Sequence, residues 1–122
     1  MKFTEHRDAS INIIRHYMPG KVTINQQEYH QSCIITQHQV INDWSITNIE
    51  QLNAEHLQPL LALKPEVLII GSGETQVFPP AIIFGLCAQA GISLEVMNNA
   101  AACRTYNVLT TEDREVVLGL IL

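Results

Sequence analysis

Apolar residues come in short bursts through the first third of the chain: Ile11-Asn12-Ile13-Ile14, Val22-Thr23-Ile24, Cys33-Ile34-Ile35-Thr36 and Val40-Ile41. Turn-forming residues separate them, Pro19-Gly20 first and Asn25-Gln26-Gln27 second. Short alternating bursts between such punctuation predict a meander of antiparallel strands with one wet face. Trp44 follows, and its ring is expected to pack over the end of that sheet.

From Asn48 the period lengthens. Leu57, Leu60 and Leu61 fall at i, i+3 and i+4, one stripe of a helix from near Asn53 to Leu63. Pro59 lacks an N–H and its ring crowds the preceding turn, which predicts a kink or a late start. Lys64-Pro65 ends the helix. Val67-Leu68-Ile69-Ile70 is a continuous apolar run of buried-strand type that stops at Gly71-Ser72-Gly73. Pro79-Pro80 opens a second helix over Ala81 to Ala90, apolar almost all round, and Gly91 closes it. Ile92 to Val96 reads as a strand. Asn98 or Asn99 caps a third helix to about Leu109, and Val116 to Leu122 reads as a last strand. The expected fold is α/β: a single domain over residues 1–122, with one mixed β-sheet. It combines an N-terminal antiparallel meander with a C-terminal β-α-β-α-β part, helices packed on the sheet.

Composition narrows the function. At 122 residues, 47% hydrophobic and 16% charged, the chain can bury a core and is not intrinsically disordered. Seven basic against twelve acidic residues leave a net charge of −5, which argues against a phosphate-tracking nucleic-acid surface. No apolar run approaches the roughly 20 residues of a membrane span. Met1 to Asp8 resembles neither a secretory signal nor a transit peptide. The expectation is a soluble, cytoplasmic domain, not embedded in a membrane. Cys33, Cys87 and Cys103 are odd in number and contain no C-x-x-C, and the five histidines show no metal-ligand spacing. No metal and no cofactor are expected.

Two segments carry candidate chemistry. Gly71-Ser72-Gly73 follows a buried strand, with Glu95 at the distance of a ribose-binding acid, which invites a dinucleotide reading. Against it, Gln76 stands where the third glycine belongs, and Val77-Phe78-Pro79-Pro80 delays the helix. The competing reading is a tight turn that needs positive φ. The second segment is Met97 to Asn107, where a helix N-terminus offers unpaired N–H groups and Arg104 could hold an acidic group. Alternatively, Arg104 pairs with Glu112 or Asp113. Together the segments outline one ligand pocket lined by Gly71, Ser72, Gly73, Gln76, Glu95, Asn98, Arg104, Thr105, Tyr106 and Asn107. Cys103 adjoins Arg104, yet no histidine follows His56, so burial competes with a nucleophile reading.

Val67-Leu68-Ile69-Ile70-Gly71-Ser72-Gly73-x-x-Gln76-x-Phe78-Pro79, then Glu95-Val96-Met97-Asn98 and Arg104-Thr105-Tyr106-Asn107-Val108-Leu109, resemble an uncharacterised bacterial and archaeal domain family. Its eukaryotic relatives include mitochondrial complex I assembly factor 3 and an adipogenesis-associated cytosolic protein. The resemblance spans nearly the whole chain and implies a single α/β domain with a mixed sheet. It implies signature roles for Gly71, Gly73, Gln76, Pro79, Glu95, Met97, Arg104, Thr105, Tyr106 and Asn107. Members often carry Thr where this chain has Ser72, and Thr near Asn99. It implies no activity for bacterial members.

Two functional readings follow. One is a non-enzymatic protein-interaction module, assembling a respiratory or membrane complex and exposing an apolar patch. The other is a pocket for a small anionic ligand, with Arg104 and Ser72 facing a shared cavity and Glu95 the only candidate base. The absence of a complete catalytic set puts the interaction module first. A terminal apolar strand also leaves room for a homodimer through a sheet edge.

Overall fold

The computed structural model describes residues 11–122. Eight strands and three α-helices follow one another among the described residues: β1 (Ile14–Met18), β2 (Lys21–Ile24), β3 (Gln27–Tyr29), β4 (Cys33–Ile35), β5 (Val40–Ile41), α1 (Ala54–Leu61), β6 (Val67–Gly71), α2 (Ala81–Gln89), β7 (Ser93–Met97), α3 (Asn99–Thr111) and β8 (Val116–Leu120). A 3-10 turn at Ile49–Gln51 precedes α1.

The meander divides between two sheets. β1, β2 and β3 form a separate antiparallel ribbon, while the main sheet runs β5-β4-β8-β6-β7. The burial pattern explains the split. Cys33, Ile34 and Ile35 are all buried, so β4 presents apolar side chains on both faces and cannot sit in a ribbon with a wet side. It pairs antiparallel with β8 instead, Ile34 opposite Gly119. β6 lies parallel between β8 and β7, with Ile69 opposite Leu118 and Glu95.

Alternation along the main sheet sorts its side chains into two layers. Ile34, Leu68, Ile70, Val117 and Ile121 meet Trp44, Leu57, Leu60, Ile83 and Cys87 on the face covered by α1 and α2. Cys33, Ile35, Ile69, Val116, Leu118 and Leu120 meet Ile14, Val22, Ile24, Ala102, Cys103 and Tyr106 on the face covered by α3 and the ribbon. The two helical crossovers therefore lie on opposite faces, as right-handed connections require when the chain steps outward from β6 to β7 and then back past β6 to β8.

Trp44 packs on the middle of the sheet rather than its end. A Cβ on Gly119 would lie 2.8 Å from Trp44 Cη2, so the bare backbone of the central strand is the floor for the indole. The indole N–H donates to the His56 carbonyl at 2.9 Å. Asn53 caps α1, its side chain accepting from the His56 N–H, and His56 Nδ1 accepts from the Asn53 N–H in return. Pro59 sits near the end of this eight-residue helix and leaves unpaired only the carbonyl of exposed Glu55.

Candidate functional site

Asn98 is the cap of α3, its Oδ1 accepting from the Ala101 N–H at 2.8 Å. That frees Asn99, the next residue, to turn inward, where it is buried. Its Oδ1 accepts from the Gly73 N–H at 3.0 Å, and its Nδ2 donates to the Ile121 carbonyl at 2.8 Å and to the Tyr17 hydroxyl at 3.2 Å. One amide thus ties the turn after β6, the end of β8 and the ribbon together. Gly71 must be glycine for this to happen, because a Cβ there would overlap Asn99 Oδ1 and lie 2.8 Å from Leu120 Cδ1.

The Gly71-Ser72-Gly73 turn is held by its own side chains. The Ser72 hydroxyl donates to the Thr75 carbonyl at 2.7 Å and accepts from the Val77 N–H at 3.0 Å. Gln76 Nε2 donates to the Val96 carbonyl at 2.9 Å. Gly73 has a φ of 115°, a value that L side chains rarely adopt. Ser72 and Gly73 line a shallow cavity of about 290 Å³ with Thr47, Asn48, Glu50 and Leu122.

The remaining expected residues lie elsewhere. Tyr106 is fully buried, its hydroxyl donating to one of the two carbonyls within reach, Asn12 at 2.9 Å and Thr36 at 3.0 Å. Burial pushes its phenol up to about 12. Asn107 acts as a missing neighbour for the ribbon edge: Oδ1 accepts from the Ile14 N–H at 2.9 Å and Nδ2 donates to the Ile14 carbonyl at 2.8 Å. Glu95 is exposed on the edge strand β7, and Thr105 is half-buried on α3. Arg104 is exposed and lines a cavity with Ile14, Arg15, His16, Tyr17, Ala100, Cys103 and Asn107. Ser72 and Arg104 thus line two different cavities, the first beside the end of β8 and the second between β1 and α3. Among the described residues, Arg104 pairs with neither Glu112 nor Asp113.

No cysteine is poised as a nucleophile. Burial pushes Cys33 up to about 12. For Cys103, burial and then the Cys33 thiol push it to about 12 against the pull of Arg104. Cys87 is also raised by burial.

Sequence reasoning passed over two features. Arg15 and His16 join Arg104 because Ile14 pairs with Ile24 and His16 with Thr23, which makes Arg15 the extra residue of a β-bulge. Nothing in the local pattern marks that insertion. The other feature was half visible. The sequence shows α2 as apolar almost all round, and in the fold only its Ile83 and Cys87 are buried. Phe78, Ile82 and Phe84 are 60%, 62% and 39% exposed, with the two phenyl centroids 6.2 Å apart.

Comparison with known proteins completes the picture. The "13 kDa major membrane protein" of Francisella tularensis is 34% identical over 117 residues, covering 95% of each chain. Complex I assembly factor 3 of Xenopus tropicalis is 27% identical over 119 residues, 96% of this chain but 64% of that protein. A Xanthomonas campestris protein solved by NMR superposes with a TM-score of 0.83 at 38% identity, over 90% of this chain and 83% of that one. Residues 14–121 match the family described as a protein of unknown function (DUF498/DUF598), and the chain belongs to that family.

Proposed function

We propose that the chain is a non-enzymatic protein-interaction module that serves the assembly of a respiratory or membrane complex. The observation that carries this reading is the apolar surface of Phe78, Ile82 and Phe84, continued by exposed Ala81, Gly85 and Ala88. Covering a large apolar side chain contributes roughly 1.5–3 kcal/mol, and residues 65–103 include no lysine or arginine to draw water or anionic lipid to this side. The names of the Francisella and Xenopus relatives support a place beside a membrane complex. Among the described residues no helix is long and apolar enough to cross a membrane. The reading is of a cytoplasmic protein that docks on such a complex from outside the bilayer.

Site-specific photo-crosslinking in the native host tests it. A photoreactive residue at Ile82 should trap one protein partner, and trapping should be lost with Phe78→Ser and Phe84→Ser. The same probe at Val108, an exposed apolar residue on α3, is the control. Equal trapping from both positions rejects the reading. Trapping of a second copy alone replaces it with a homodimer.

A further inference from the structure

The cavity of about 230 Å³ between β1 and α3 has a composition unlike the rest of the molecule. Two of the seven basic residues of a chain with net charge −5 line it, with His16 between the same walls and no carboxylate among the lining residues. Among the described residues neither Arg15 nor Arg104 has an ion-pair or hydrogen-bond partner. Two guanidiniums beside one cavity repel each other, and an anion between them turns that repulsion into attraction.

The backbone arranges the donors for this. The bulge at Arg15 lets Ile14 and Tyr17, three residues apart, both turn to the core, and re-aims the intervening side chains. Asn107 holds Ile14 through both of its backbone groups, which fixes β1 against α3. Arg104 lies one turn before Asn107 on the helix, and Ala100 one turn before Arg104 leaves the approach open. We propose that this cavity binds a phosphate group. Two planar guanidinium forks match a dianionic tetrahedral group better than a single carboxylate, which one fork satisfies. The phosphate could be carried by a small soluble molecule or by a lipid headgroup, and the two sources share this chemistry.

NMR titration of the whole chain with inorganic phosphate and pyrophosphate at low salt tests the site. Amides of residues 14–17 and 100–107 should shift. Arg15→Ala and Arg104→Ala should each weaken binding about tenfold, as expected for loss of a charge-assisted bond. Both arginines are exposed, so the melting temperature should hold, and the Arg→Gln pair repeats the test where an alanine variant does not fold. Acetate should leave the same amides unmoved. Sedimentation with vesicles containing phosphatidic acid, whose headgroup is a phosphomonoester, assigns the lipid source when retention is lost in the double variant. Phosphate binding without vesicle retention assigns the soluble source. The proposal is overturned by unmoved amides with no retention, by undiminished binding in the double variant, or by equal shifts with acetate. Such failure leaves the apolar-surface reading intact, because α2 lies on the other face of the sheet.

Discussion

Substituting Gly71 by alanine tests the tie between the turn after β6 and the rest of the molecule. The new Cβ would overlap Asn99 Oδ1 and lie 2.8 Å from Leu120 Cδ1, both on buried residues. Overpacking of this kind costs about 1–3 kcal/mol. Displacing the Asn99 amide also weakens its bonds to Gly73, Ile121 and Tyr17, each worth about 1 kcal/mol net. The sum is about 3–4 kcal/mol. At about 2.1 cal/mol/K of unfolding entropy per residue, a chain of this length loses roughly 4 °C of melting temperature per kcal/mol. Gly71→Ala should therefore lower Tm by about 12–16 °C in calorimetry. The decisive measurement is the double-mutant cycle. Asn99→Ala alone should cost about 3 kcal/mol, because it leaves the Ile121 carbonyl and the Gly73 N–H without their partner. In that background the Gly71 Cβ meets the far end of Leu120, a flexible side chain, and Ala102 Cβ in ordinary contact at 3.4 Å, and should cost about 1 kcal/mol more. The two changes should thus fall short of additivity by about 2–3 kcal/mol in urea denaturation. Additivity within about 0.5 kcal/mol would refute the argument that Gly71 and Asn99 share one space.

Three further outcomes follow from the packing. Gly119→Ala should push the indole of Trp44, the only tryptophan, off the sheet. A destabilisation of about 1–3 kcal/mol should appear with a red shift in fluorescence, largely relieved by Trp44→Phe. Asn107→Ala removes both bonds to Ile14, so hydrogen exchange should quicken in β1 and β2 while β6 and β8 keep their protection. Finally, stability should fall on the alkaline side. Cys33 and Cys103 are raised from 9.0 to about 12, and Tyr106 from 10.0 to about 12. The unfolded chain therefore releases these protons first. The contribution is complete below about pH 9 and is lost as pH rises toward 12, and Cys33→Ala should flatten that limb in pH-dependent melts.

The second half of the chain was legible because its signals are local. Gly71, Pro80, Gly91 and Asn98 stand where the strand and helices end or begin, and β6, α2, β7 and α3 form within two residues of their expected bounds. The first half was less so, since its pattern specifies strands but not partners. Whether Cys33 to Ile35 joins a ribbon or the main sheet depends on β8, more than eighty residues away. The candidate site shows the same limit. Tyr106 and Asn107 stood out in the sequence, but in the fold they bind backbone of the first half, and the cavity of Arg104 needs a bulge that no local motif announces. A polar residue on a helix is as readily a clamp as a ligand-binding group, and only the distant strand decides which.

The position of β8 has a consequence for synthesis. It is made after every other described strand, yet it lies between β4 and β6. Until it leaves the ribosome, both of those strands present an unpaired edge of buried, β-branched sequence, Cys33–Ile35 on one side and Val67–Gly71 on the other. From the emergence of β6 onward the nascent chain thus carries two sticky edges, and β8 closes them both. Chaperone dependence, rather than native-state stability, is where substitutions in β4 and β6 should first tell.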